Sequence, residues 1–107
     1  MTRLRGTRGA ERVARLGVTP DDADAIVARA IALARERLGV VCEVVEAPRG
    51  SRARPGARGR HVAGLVTLFP AAFADPLTLA WTSLHELAHA AGLDEDGANA
   101  FAAGVLA

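Results

Sequence analysis

Asp75-Pro76-Leu77-Thr78-Leu79-Ala80-Trp81-Thr82-Ser83-Leu84-His85-Glu86-Leu87-Ala88-His89-Ala90-Ala91-Gly92 is the stretch on which the reading of this chain turns. Asp75 is a helix-capping residue type, and Pro76 suits the first helical position, where an N–H would have no partner anyway. No breaker follows until Gly92, so the pattern predicts a helix over 77–91. His85 and His89 stand four residues apart, which puts both imidazoles on one helix face, spaced to hold a single tetrahedral metal ion. Glu86 lies about 100° round the helix from His85, where it reaches a water at that ion without being a ligand. Trp81, Leu84, Leu87 and Ala88 make the helix apolar around the pair, so the histidines are expected in a largely buried element. Without a metal, buried histidines need hydrogen-bond partners and tend to lose their charge.

A catalytic zinc ion takes three protein ligands and keeps a fourth position open. The third ligand is sought among Asp94, Glu95, Asp96 and His61, and Glu95 is chosen for two reasons. It follows His89 by six residues with Gly92 between, and glycine takes the left-handed conformation that reverses a chain. It also opens Glu95-Asp96-Gly97-Ala98-Asn99. This sets Asn99 one turn along the next helix, within reach of the second nitrogen of a ligand histidine. The competing reading is that the three acids only cap the last helix through its dipole.

Working outward, residues 95–106 read as an Ala-rich terminal helix. Toward the amino end, Thr19-Pro20-Asp21-Asp22 supplies a cap, a proline for the first helical position and acids for the positive dipole end. Ile26, Val27, Ala30, Ile31, Ala34 and Leu38 then recur at helical spacing, with Gly39 as the stop. The β-branched segment 40–46 predicts a strand, and 62–69, closed by Pro70, predicts a second. Between them, 48–60 reads as a loop with five arginines. A short helical turn is expected over 10–16 before Gly17, and the Arg- and Gly-rich residues 1–9 read as mobile. The expected fold is α+β: one domain over 1–107, with a small sheet of two to four strands packed against an N-terminal helix, the His85–His89 helix and a C-terminal helix.

Composition bounds the rest. With 107 residues, half of them hydrophobic, the chain suits one small globular core, to which a bound metal adds useful stability. All thirteen basic residues are arginine, set against twelve acids for a formal charge of +1. That balance argues against a strongly basic nucleic-acid binder. The Arg-rich segment 48–60 lacks an aromatic to stack on bases and reads as a solvated loop. Cys42 is the single cysteine and reads as a small core residue, excluding an internal disulfide scaffold. The amino terminus has no signal-peptide h-region and no apolar run reaches bilayer length, so a cytoplasmic protein without a membrane partner is expected.

His85-Glu86-Leu87-Ala88-His89, followed by Glu95 and then Ala98-Asn99-Ala100-Phe101-Ala102-Ala103, resembles the HExxH zinc metallopeptidases of the ImmA/IrrE type. It is also similar to the minimal gluzincins, whose third ligand is a glutamate on the helix after the motif. The resemblance covers about residues 64–106, and Gly97 departs from it by standing where the family carries glutamate. It implies a zincin-like fold, one zinc ion held by His85, His89 and Glu95, Glu86 as general base and acid, and Asn99 supporting a ligand. It also implies a peptide or protein substrate that pairs with the strand before the helix, at Gly64, Leu65, Val66 and Thr67. The expected activity is therefore hydrolysis of peptide bonds by a metalloprotease. The alternative is a non-catalytic or latent zinc module acting on a regulatory protein such as a repressor.

Overall fold

The computed structural model describes residues 3–48 and 56–107. Four helices, α1 (Ala10–Ala14), α2 (Ala23–Leu38), α3 (Pro76–Ala90) and α4 (Glu95–Leu106), accompany three strands, β1 (Glu43–Glu46), β2 (Gly59–Val62) and β3 (Leu65–Leu68). The sheet is mixed, in the order β1-β3-β2, and the fold is α+β as the element order predicts. Residues 49–55 of the Arg-rich segment lie outside the described residues.

Helix α3 sits at the centre, packed on α2, α4, α1 and the sheet. Its Leu79, Ala80, Leu84, Leu87 and Ala88 are buried, as are Ile26, Val27, Ala30, Leu33 and Ala34 of α2. Ala98, Ala102 and Leu106 of α4 complete the helical layer, and Val66 and Leu68 close the core from the sheet. Phe73 is fully buried, in a 3₁₀ turn over Pro70–Phe73 that leads into α3. Each large apolar side chain taken out of water in this way contributes about 1.5–3 kcal/mol.

The start of α3 follows the sequence expectation. The Asp75 carboxylate accepts from the Thr78 N–H at 2.6 Å, and Pro76 occupies the first turn. At α2 the cap is Asp22, which accepts from the Ala25 N–H. Pro20 lies in the preceding turn rather than at the first helical position, because Asp22 N–H bonds back to Thr19 carbonyl.

The strand boundaries are corrected. Residues 62–69 do not form one strand: Ala63 (φ 49°) and Gly64 (φ 78°) fold the segment into a β2–β3 hairpin. Two successive residues with positive φ make the turn whose twist matches that of the flanking strands. Gly59 and Arg60, assigned to the loop, consequently belong to β2.

The amino-terminal segment, read as mobile, is docked over its described residues 3–9. Arg5 N–H donates to Phe73 carbonyl and Leu77 N–H to Arg8 carbonyl, each at 3.1 Å. Arg8 also donates from Nε to Asp75 Oδ2 at 3.2 Å and from Nη2 to Thr78 Oγ1 at 2.8 Å. Burial alone pushes the Asp75 carboxyl up, but the bonds from Thr78 and Arg8 outweigh it and hold its pKa below the usual carboxylate value. A carboxyl lowered in the folded state stabilises above its unfolded pKa and stops doing so as the pH falls through the folded value. Asp75→Ala is therefore expected to cost about 1–2 kcal/mol at neutral pH. In urea titrations this difference should persist to about pH 5 and shrink as the pH falls below the unfolded carboxyl's pKa of about 4 and on through the lower folded value.

Candidate metal centre

The end of α3 shapes the site. Gly92 takes the left-handed conformation (φ 97°), its N–H bonds to His89 carbonyl, and Leu93 N–H bonds to Ala88 carbonyl at 3.1 Å. This pair of bonds terminates the helix and reverses the chain. The reversal does two things for His89. It turns the Leu93 carbonyl onto His89 Nδ1 at 2.9 Å, which fixes the ring and leaves Nε2 facing the cluster. It also starts α4 close beside α3, so that Glu95 meets the histidines.

His85 Nε2 and His89 Nε2 are 2.9 Å apart, with Glu95 Oε1 2.8 Å from the first and Oε2 3.5 Å from the second. At such a separation, either one ring carries a proton toward the other or both direct lone pairs at a shared cation. Tetrahedral zinc about 2.0–2.1 Å from each donor would set its donors about 3.3 Å apart, so the observed cluster fits the ion's size and ligand preference. The histidine side chains are mostly buried, whereas that of Glu95 is 69% exposed.

Of the four residues considered for the third position, only Glu95 joins the pair. Asp94 is spent as the cap of α4, accepting from Gly97 N–H at 2.8 Å. Asp96 is exposed. His61 lies on β2, where its Nε2 accepts from Gly64 N–H in the hairpin turn. Asn99 is not the partner of His89 Nδ1, because the Leu93 carbonyl takes that place; it instead borders a cavity with His85 and Glu86.

That cavity, about 360 Å³, is also bordered by Arg58, Gly59, Trp81 and Thr82. Trp81 and Thr82 precede His85 and Glu86 by one helical turn, a spacing that would have found them in the sequence. Gly59 is needed for the close approach of β2: a Cβ there would stand 2.8 Å from Thr82 Cγ2 and 3.0 Å from Glu86 Cγ. Strand β2, an outer strand of the sheet, therefore runs past Glu86.

The residues expected to pair with a peptide lie elsewhere. Leu65, Val66 and Thr67 belong to the central strand β3, bonded to β1 on one side and β2 on the other, and Gly64 is in the turn. With both edges occupied, β3 offers no row of free amides to an added strand. Cys42 is buried as expected, its thiol donating to Gly64 carbonyl at 2.9 Å, and burial pushes its pKa up.

The turn at Gly92 yields a test. Gly92→Ala meets no steric neighbour but must hold a positive φ, at a cost of about 1–2 kcal/mol. The strained turn shifts both Leu93 carbonyl and Glu95, so zinc affinity, read by competition with a chromophoric chelator, is expected to fall about tenfold or more.

No family model, curated protein or solved structure matches this chain.

Proposed function

We propose that the protein is a zinc-dependent metallopeptidase that cleaves peptide bonds of a peptide or protein substrate. The observation that carries this reading is the convergence of His85, His89 and Glu95 within 4.8 Å, with Glu86 one residue from the first ligand and bordering an adjoining cavity. Two imidazoles and one carboxylate form a donor set suited to catalytic zinc. Zinc in such a site supplies Lewis acidity toward a carbonyl oxygen and a water.

The remaining steps belong to the chain. The Glu86 carboxylate accepts a proton from the attacking water and returns it to the leaving amine nitrogen. Leu93 carbonyl keeps His89 turned toward the centre. Arg58 and Asn99, bordering the cavity beside Glu86, are the polar groups available to orient the substrate.

The substrate strand is assigned to β2 in place of Gly64, Leu65, Val66 and Thr67. Phe69 N–H bonds to Arg58 carbonyl at 2.8 Å, so the antiparallel alternation turns the backbone groups of Arg60 and Val62 toward β3. Those of Gly59 and His61 then face the outer edge, where an extended peptide adds by β-augmentation.

The rival reading, a non-catalytic or latent zinc module bound to a regulatory protein, calls for side chains packed over the ligands. The cavity beside His85 and Glu86, formed by described residues, favours turnover instead. The site of action proposed is the cytoplasm; none of the helices among the described residues is long and apolar enough to cross a membrane. The test is to digest a mixed peptide pool with zinc-loaded and with chelated protein. New amino termini in the first and none in the second are expected; a zinc-loaded protein that leaves the pool intact contradicts the peptidase reading.

A further inference from the structure

The cavity at Glu86 has a neighbour. Past Trp81 and Arg58, which border both, a second cavity of about 370 Å³ opens toward the start of α3 and the end of α4. Arg8, Arg12 and Arg58 surround it, with Thr78 and Leu106 on its walls. Three arginines thus border one hollow in a chain whose formal charge is only +1.

Their charges are not equally satisfied. Arg8 donates to Asp75 and Thr78, the same Asp75 that caps α3, so its guanidinium already has a carboxylate partner. Neither Arg12 nor Arg58 has a carboxylate partner among the described residues. The end of α4 brings the negative pole of its helix dipole and the Ala107 carboxylate to the same hollow, and no ion pair joins that carboxylate to Arg12 or Arg58. Two exposed arginines without an ion-pair partner among the described residues therefore border a hollow that Trp81, Leu77 and Leu106 also line, and a carboxylate is the group whose shape and charge match their planar, bidentate donors.

We propose that this second cavity receives a carboxylate of the bound peptide, carried on an acidic side chain or at the peptide's C-terminus, and so selects acidic substrates. The assignment rests on the peptidase reading for the identity of the ligand as a peptide. It accounts for Trp81 on physical grounds: the indole is the shared wall that holds the peptide's apolar stem between the two cavities.

Trp81 is the only tryptophan, and there is no tyrosine, so intrinsic fluorescence reports this place alone. The experiment titrates zinc-loaded protein carrying Glu86→Gln, which prevents turnover, with three hexapeptide sets built from alanine, leucine and glutamine. One set carries glutamate scanned through every position with an amidated C-terminus; one has a free C-terminus and no glutamate; one is neutral throughout. At least one charged set should bind about tenfold tighter than the neutral set, the gain available from two partly shielded guanidinium contacts, and less so in high salt. Which charged set gains identifies the source of the carboxylate. In the exposed double variant Arg12→Gln, Arg58→Gln the advantage should fall to within about twofold of the neutral set. Equal or absent binding of all three sets, or an advantage that survives the double variant, overturns the proposal. Zinc content and hydrolysis by the protein with Glu86 intact are scored separately. Tight acidic-peptide binding without hydrolysis would keep this inference and remove the peptidase reading, while hydrolysis indifferent to charge would do the reverse.

Discussion

Glu86→Gln is expected to keep one zinc ion per chain while peptide hydrolysis falls by about 10²–10⁴-fold, the contribution of a positioned general base and acid. The two halves of this expectation come from the same geometry. Glu86 is absent from the cluster formed by His85, His89 and Glu95, so removing its charge takes no donor from the ion. Its side chain borders the cavity next to His85, and glutamine is nearly isosteric, so Gly59 and Thr82 keep their packing. Only the ability to accept a proton is lost. Hydrolysis measured on the same peptide pool, with metal content determined on the same sample, checks both halves. Loss of zinc in this variant would make Glu86 a ligand, and unchanged hydrolysis would remove it from the chemistry.

The largest effect on stability is expected at Gly9. This residue has a φ of 77° and stands at the entry to α1, where a Cβ would fall 2.3 Å from Leu77 Cβ and 3.1 Å from its Cγ. The neighbour lies at the base of a side chain on the central helix, so rotation about χ1 does not relieve the contact with Cβ. Left-handed strain of about 1–2 kcal/mol and overpacking of about 1–3 kcal/mol both oppose Gly9→Ala. A total loss near 3 kcal/mol lowers the thermal midpoint of a domain this size by more than about 10 °C. Calorimetry of the variant checks this; a midpoint within a few degrees of wild type would mean that the amino-terminal segment does not dock on α3.

How far the sequence carries the fold depends on how local each determinant is. Asp75-Pro76 and Gly92 mark the ends of the central helix because capping chemistry acts within a few residues, and the structure uses both as read. The same locality makes Glu95 findable: it is the sixth residue after His89, with one reversing glycine between them. The hairpin is less visible. Val62 to Phe69 is an apolar run in which Ala63 must adopt a positive φ, and periodicity cannot separate two four-residue strands from one longer strand. Missing that turn set the expected peptide-pairing residues on β3, whose edges are occupied, and left the outer strand β2 unread. Asp22 rather than Pro20 marks the start of α2, since a proline near a cap fits the preceding turn as well as the first helical position. The amino-terminal dock is hidden for a different reason: Arg8 meets Asp75 and Thr78 across more than sixty residues, and no pattern along the chain encodes such a pairing. The second cavity is hidden likewise, since Arg8, Arg12 and Arg58 come from two segments and meet only once α1 and β2 are packed against α3.

The central claim is that His85, His89 and Glu95 hold one zinc ion. Its most direct test is the metal content, by mass spectrometry, of protein purified without chelator as wild type, His89→Ala and Glu95→Ala. The predicted result is one zinc per wild-type chain, lost from both variants while circular dichroism shows the helices retained. A folded wild type that carries no zinc, or a Glu95→Ala chain that holds it as firmly as wild type, would contradict the three-ligand site.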